Sequence, residues 1–334
     1  MRIEQWDPAD EKTARACYDV TLAAHRVDEP VEPPLSFGAF GIFLRDGWDC
    51  DPGELWVASG DGGTAVGYYR INLPDLENLD GAYGELVVHP AARRRGIGRE
   101  LLRHAGGRAA VHGRTRFAAT TTAGADGDAF AQAVGARLDL EEIRRIQYLR
   151  EIAPGTVDAL RATASQAAAG YSVTSWEGPV PDRYLASMAG VLNAFNDAPR
   201  GANEQPAIWD ADRVRERTGS LVRAGVVRAY SVAASCDASG EMAAFTQVAI
   251  DPESPTWGFQ WLTAVVRAHR GHRLGLLVKT EMLSLLATAE PQVDRVATGN
   301  AAANEHMIAI NEQLGYKVVE PGWRFYEMPV ADML

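Results

Sequence analysis

Little in this 334-residue chain ties it to a membrane, a metal or an oxidising compartment. It has only three cysteines, Cys17, Cys50 and Cys236, widely spaced and with no Cys-x-x-Cys pair. An odd, scattered set excludes a readable disulfide framework and a thiolate zinc site, and reduced thiols are the expected state. No run of about 18 uninterrupted apolar residues occurs, so no membrane-spanning helix and no membrane partner is expected. The opening residues "MRIEQWDPADEK" lack the apolar segment of a secretion signal, and a cytoplasmic protein is the expectation. The histidines form no His-x-x-x-His or His-Glu-x-x-His pair, so no metal is expected, and no Gly-x-Ser-x-Gly nucleophile elbow is present. Positive charge is in deficit: 33 Lys and Arg against 44 Asp and Glu leave a net charge of −11. Phosphate polymers and anionic surfaces are repelled on average by such a protein. Nucleic acid is therefore not an expected partner, and a cationic amine suits the balance better.

What is present is a globular composition, 46% hydrophobic and 23% charged, long enough for two domains. Four landmarks recur in the same order. "IEQWDPAD" at 3–10 matches "VTSWEGPVPD" at 173–182, each a short strand ending in Trp and a proline turn. An Asp-x-Pro follows a helical segment at Asp28 and again at Asp197, an arginine-led loop begins at Arg93 and at Arg270, and a helix ends at Gly135 and at Gly315. The offsets are 170, 169, 177 and 180, a slow drift that fits a duplicated domain with small loop insertions. The division expected is 1–152, a linker at 153–169 rich in Ala, Gly, Ser and Thr, and 170–334.

Within the first half, periodicity predicts strands at 2–6, 55–58, 65–73, 83–88, 117–121 and 143–149, and helices at 9–26, 97–111 and 128–134. Pro8 suits the first turn of the first helix. Short turns between early strands give an antiparallel meander, and strand–helix–strand from Tyr83 to Thr121 gives a parallel crossover. Each half is thus expected to be α+β, a mixed, mostly antiparallel twisted sheet with helices on both faces.

The stretch "LVVHPAARRRGIGRELL" at 86–102 carries the chemistry. An apolar strand leads through a glycine-bearing loop into a helix, whose first N–H groups lack internal partners and sit at the positive end of the helix dipole. Gly96 and Gly98 remove side chains where a pyrophosphate would approach, and Arg93, Arg94, Arg95 and Arg99 attract phosphate. Neither a P-loop nor the Gly-x-Gly-x-x-Gly fingerprint is matched. The pattern Arg93-x-x-Gly96-x-Gly98 resembles motif A of the GNAT superfamily of acyl-CoA-dependent N-acyltransferases. The second half matches it partly, with Arg273 where the first glycine stands, between Arg270 and Gly275.

The resemblance covers nearly the whole chain, once per half, and implies two tandem GNAT-like domains and an N-acetyltransferase. Acetyl-CoA would be the cosubstrate, a small-molecule primary amine the acceptor, and direct attack in a ternary complex the route. It further implies that Leu86, Val87 and Val88 pair with the pantetheine arm and that the turn from Arg94 through Ile97 to Arg99 cradles the pyrophosphate. The matching second-half positions are Thr263, Ala264 and Val265, then Gly271, His272, Arg273 and the residues to Leu276. Asn304 matches the asparagine that caps the late helix near the coenzyme. The family's late tyrosine, the usual acid for the departing thiolate, is replaced by Ala131 and Asn311 in the two halves. A non-catalytic acyl-CoA-binding protein is the alternative reading.

Acyl transfer needs a group to accept the proton of the amine. Glu85, eight residues before Arg93, is the candidate base; the matching second-half residue is Leu262. His89, two residues past Val87 and on the Glu85 side of a regular strand, is a candidate relay. Asp28 and Asp197 are candidate anchors for an acceptor ammonium, or plain turn residues. Asn311, on one helix face with Asn304 and Met307, is a candidate acceptor contact. Trp48, Trp56, Trp209 and Trp257 are candidates to line an acceptor cleft. Catalysis is expected in the first half, with the second half, which carries the fuller late-helix motif, as the alternative, and the state is expected to be a monomer or a homodimer.

Overall fold

The computed structural model of the chain describes residues 1–7, 10–47 and 50–334, Asp61 by its backbone alone. Pro8 and Ala9, expected to open the first helix, and Trp48, expected at a cleft, lie outside the described residues. In chain order the first half runs β1 (Arg2–Gln5), α1 (Glu11–Asp28), α2 (Phe37–Asp46), β2 (Gly53–Ser59), β3 (Ala65–Asn72), β4 (Gly81–Val88), α3 (Ile97–Val111), β5 (Arg116–Thr122), α4 (Asp126–Ala133) and β6 (Arg137–Tyr148). The second half continues with α5 (Thr156–Ala167), β7 (Tyr171–Glu177), α6 (Leu185–Phe195), α7 (Ala211–Arg217), α8 (Ser220–Arg223), β8 (Arg228–Cys236), β9 (Met242–Ile250) and β10 (Trp257–Val265). It ends with α9 (Leu274–Ala289), β11 (Arg295–Ala301), α10 (Glu305–Gln313) and β12 (Tyr316–Pro329).

The compact units do not follow the contiguous division expected from the duplication. Unit 1 comprises Met1–Glu142, Gly201–Gln205 and Pro321–Leu334, and unit 2 comprises Ile143–Arg200 and Pro206–Glu320. The reason lies in strand pairing. In unit 1 the order is β1-β2-β3-β4-β5-β12, so the end of the last strand closes the first sheet. Trp323 to Pro329 run antiparallel to β5, with Trp323 opposite Thr122. In unit 2 the order is β6-β11-β10-β9-β8-β7. The residues expected to form a linker at 153–169 form α5 instead, with Ala164 and Ala168 buried in the unit 2 core. Their small side chains read as a linker by composition, but at helical spacing they allow close packing on α9.

In unit 1, α3 packs on one face of the sheet through Leu101, Leu102, Ala105 and Ala109, against Ile71, Phe117 and Met328. On the other face α1 and α2 bring Cys17, Val20, Phe40 and Leu44 onto Leu55, Val57 and Tyr68. Helix α2 was not expected, because Gly38 and Gly41 weaken its propensity. It forms because the Ser36 hydroxyl accepts the Ala39 N–H and because Phe40, Phe43 and Leu44 are buried. In unit 2, α5 and α9 cover one face and α6 and α7 the other. Both units are α+β with mixed sheets, as expected.

Candidate active site

In unit 1 the sheet opens at one place. β4 pairs in parallel with β5 only from Gly81 to Gly84, opposite Arg116 to Ala119. Beyond that, Glu85 to Val88 keep β3 as a neighbour while Thr120 to Thr122 pair with β12. A cavity of about 560 Å³ occupies the resulting wedge. Its walls bring together Glu85, Leu86, Val87, Val88, Arg93, Arg94, Gly96, Ile97, Gly98, Arg99 and Asp28 from the sequence expectation. Arg95 and His89 are not among the lining residues. The His89 ring is spent locally, its Nδ1 accepting the Ala91 N–H at 3.2 Å.

Glu85 stands directly opposite Arg70 across β3 and β4, on the sheet face that α1 and α2 cover. Its Oε2 is shut off from solvent and has no hydrogen-bond partner among the described residues. Burial pushes the Glu85 carboxyl up to about 7; Arg70 and the Tyr68 hydroxyl pull against that rise and the charge of Glu29 adds to it. A carboxylate of this kind holds or releases a proton near neutrality. The Tyr68 hydroxyl lies 2.8 Å from the Thr21 hydroxyl, and Thr21 lines the cavity.

The loop between β4 and α3 is held by Arg93, whose role differs from phosphate attraction. Its guanidinium donates to both carboxylate oxygens of Asp28, at 2.9 and 2.5 Å, to Asp126 at 3.0 Å and, through Nε, to the Val88 carbonyl at 3.2 Å. Arg93 thus ties the loop to α1 and α4, and Asp28 is a structural partner instead of a free ammonium anchor. Two residues of the loop have left-handed backbone, Arg94 at φ 64° and Gly96 at φ 85°. At Gly96 a Cβ would point into open space, whereas at Gly98 it would lie 3.4 Å from Phe130. Gly98 therefore serves the packing of α3 on α4 as well as access. The first N–H groups of α3, from Ile97 onward, have no partner within the helix and face this loop's cavity.

Other walls were not anticipated. Helix α1 contributes Thr21, Ala24, His25 and Glu29 along with Asp28, the face expected of residues three and four apart. Thr120 to Thr122, Phe130 and Trp323 are also among the lining residues. The α1 face was readable from helical spacing once Asp28 was chosen. Trp323 carried no signal, because its place depends on which strand β12 pairs with. Of the other expected tryptophans, the three among the described residues do not line the cavity: Trp56 packs on His104, Trp209 under Arg213, and Trp257 stacks on Phe259 under Arg295.

The matching second-half loop has kept its shape. Gly271 at φ 89° and Arg273 at φ 53° occupy the left-handed positions of Arg94 and Gly96. Asp197 accepts from Arg270 at 2.6 Å and from Arg267 at 3.0 Å, and so is a loop partner too. A Cβ at Gly275 would lie 3.1 Å from Ile310 and 3.5 Å from Val265, as one at Gly98 would meet Phe130. Thr263 bonds the Thr246 hydroxyl at 2.8 Å, Ala264 is buried, and His272 packs against Tyr171. Asn304 caps α10 by accepting the Met307 N–H, and Asn311 is fully buried and donates to Asn300 at 2.8 Å. These second-half residues are not part of the cavity in unit 1.

The model of the acetyltransferase (GNAT) domain matches residues 51–133, from just before β2 to the end of α4. Along the chain, the mycothiol acetyltransferase of Tsukamurella paurometabola is 30% identical over 260 residues, covering 76% of this chain and 80% of that protein. This chain belongs to the GNAT acetyltransferase family. The mycothiol acetyltransferase of Mycolicibacterium paratuberculosis is 26% identical over 250 residues, covering 74% and 70%. Among solved structures, a tandem GNAT protein from the clavulanic acid biosynthesis pathway matches with a TM-score of 0.80 at 28% identity, covering 98% of each chain.

The GNAT protein described here is thus a tandem acyltransferase, and an enzyme. Its family match spans the wedge, the loop and Glu85 of the first half. Among the described residues no group of three or more His, Cys, Asp or Glu could hold a metal ion, and no helix is long and apolar enough to cross a membrane.

Proposed function

We propose that this enzyme moves the acetyl group of acetyl-CoA to the primary amine of a small molecule inside the unit 1 cavity. The observation that carries the reading is the joining of loop and carboxylate: one cavity holds the N-terminus of α3, the splayed strand end and Glu85. The glycine face at Gly96 is open, which suits a pyrophosphate against the N–H groups of the loop. The pantetheine arm would take the place beside Leu86 to Val88 that β5 leaves. Glu85 receives a proton from the ammonium, the neutral nitrogen attacks the thioester carbonyl, the C–S bond breaks, and one of the two protons left on nitrogen passes to the CoA thiolate while the other stays on the amide. No side chain at the family's usual acid position takes part, since Ala131 stands there. The first acceptor to assay is a mycothiol-type small molecule, in view of the relatives' names.

The second half is assigned a scaffold role, with Asn304 as a helix cap. Calorimetric titration with acetyl-CoA tests both assignments. Gly96→Glu should abolish binding and Arg273→Glu should leave it intact; the opposite pattern moves the working site to the second half.

A further inference from the structure

The Glu85 carboxyl is already engaged on the side away from the cavity. It faces Arg70 across β3 and β4, and Arg70 is itself buried and tied to α2 through the Leu44 carbonyl at 3.1 Å. The Tyr68 hydroxyl hydrogen-bonds the carboxyl. Glu29 and the buried Cys17 thiol, both on α1, are the other titrating groups whose charge reaches it. Oε2 is closed to solvent, so an amine in the cavity does not reach that oxygen directly.

Two hydroxyls lead from the cavity to this carboxyl. Tyr68 lies two residues before Arg70 on β3, hence on the same sheet face, and is fully buried in the apolar cluster of Val20, Phe40 and Val57. Its hydroxyl is 2.8 Å from that of Thr21, which stands half-buried on α1 and lines the cavity. The Thr21 hydroxyl is also 3.0 Å from the Cys17 carbonyl. From the cavity inward the order is Thr21, Tyr68, Glu85. Packing does not call for it, because valine and phenylalanine fill the same space without placing two hydroxyls in an apolar core.

Each hydroxyl has one hydrogen to give and lone pairs to accept with. When Glu85 is ionised, Tyr68 donates to it and Thr21 donates to Tyr68, which leaves the Thr21 oxygen able to accept from a ligand. When Glu85 is protonated, it donates to Tyr68, Tyr68 to Thr21, and Thr21 to the Cys17 carbonyl. The same atoms satisfy both states, and the passage of one proton along the line converts the first into the second.

We propose that Thr21 and Tyr68 relay the acceptor's proton to Glu85. The inference rests on the acetyl-transfer reading for the same cavity. The ammonium gives one proton to the Thr21 oxygen, the Thr21 hydrogen passes to the Tyr68 oxygen, and the Tyr68 hydrogen passes to the Glu85 carboxylate. Both hydroxyls end neutral, and the amine nitrogen is left neutral to attack. Once product has left, the Glu85 proton returns along the same line to water. Thr21 touches the acceptor, and Tyr68 acts through Thr21 and Glu85.

Two amines of similar size test this. Ethylamine is an ammonium at neutral pH and must lose a proton first, whereas trifluoroethylamine is already neutral there. With CoA release as readout, Thr21→Val should lower kcat for ethylamine about 10²-fold, and Tyr68→Phe should do the same. The loss with trifluoroethylamine should be at least tenfold smaller. Thr21→Ser, which keeps the hydroxyl, should recover most of the ethylamine rate, and acetyl-CoA affinity should not change in Thr21→Val. The relay is overturned if Thr21→Val keeps the wild-type rate with ethylamine, if it loses both amines equally, or if Thr21→Ser is as slow as Thr21→Val. If the wild type turns over neither amine, the acetyl-transfer reading falls. The relay is then decided by NMR of the Tyr68 ring carbon that bears the hydroxyl, followed against pH. A step at about 7 that vanishes in Glu85→Gln and is displaced in Thr21→Val supports the line of hydrogen bonds; no step sinks it.

Discussion

Asp28 grips the Arg93 guanidinium through both carboxylate oxygens, and at the corresponding point of the second half Asp197 accepts one hydrogen bond from Arg270 and two from Arg267. Two pairs of landmarks of the duplication, far apart in sequence, are thus two copies of one ion pair. Arg93 and Asp28 tie the loop before α3 to the end of α1, Arg270 and Asp197 tie the loop before α9 to the turn after α6, and the partly buried bidentate contact of Arg93 fixes geometry as well as charge.

Asp28→Asn should therefore act on the coenzyme and not on the acceptor. With the carboxylate gone, Arg93 retains only Asp126 and Val88, and the loop loses its tie to α1. Acetyl-CoA affinity measured by calorimetry should fall about tenfold, as expected for one charge-assisted contact. A raised amine KM with unchanged acetyl-CoA affinity would instead return Asp28 to the role of ammonium anchor.

The left-handed positions make opposite predictions in the two halves. Gly96→Ala places a Cβ in open space but at φ 85°, and should destabilise by about 1 kcal/mol through backbone strain alone. Arg273→Gly relieves the same strain at φ 53° and should stabilise by about 1 kcal/mol. Urea unfolding midpoints of the two variants check both signs.

Activity should depend on Glu85 being ionised. With its carboxyl at about 7, kcat/KM should rise with pH through that value and then level. Glu85→Gln should remove the limb and lower kcat by about 10²–10⁴-fold. Stability runs the other way. The unfolded carboxyl ionises from about 4.5 and the folded one from about 7, so stability is lost as pH rises across that interval. Thermal melts of Glu85→Gln should lack this loss.

Lys279 gives a second pH signature, in unit 2. It is buried on α9, donates to Gln260 at 3.0 Å, and burial holds its ammonium down to about 7 against 10.5 unfolded. Stability should rise as pH climbs from 7 to 10.5, where the unfolded state keeps the proton and the folded state does not. Lys279→Met should raise the melting temperature most at low pH, with a gain that shrinks toward pH 10.

A chain ending at Glu320 should not assemble the acceptor cavity. Residues from Pro321 onward supply Trp323 to the wall, the buried Met328, Val330 and Met333 to the core, and Glu327 to Arg116 at 3.1 Å. Losing several buried apolar side chains costs more than a marginally stable unit holds. Acetyl-CoA binding should disappear together with the cooperative unfolding of unit 1. Retained binding would favour the contiguous division at 152.

The local parts of this protein were legible in sequence because local forces specify them. The strand before Pro90, the helical face of Leu101, Leu102 and Ala105, and the turns at Gly135 and Gly315, at φ 83° and 81°, follow from side-chain periodicity and backbone sterics. The loop pattern at Arg93, Gly96 and Gly98 carried the resemblance to the family because it is a local pattern, while the structure shows that Arg93 serves it by holding the loop to Asp28. Helix α5 was missed because small residues suit both a linker and close helix packing, and only α9 decides between them. Tertiary structure alone settled partnership. It turned Asp28 from a candidate ligand anchor into the partner of Arg93, set Glu29 in the wall under Trp323, and sent the last strand to β5 in unit 1. Strand pairing depends on which edge is open in three dimensions, and no periodicity in the chain records that choice.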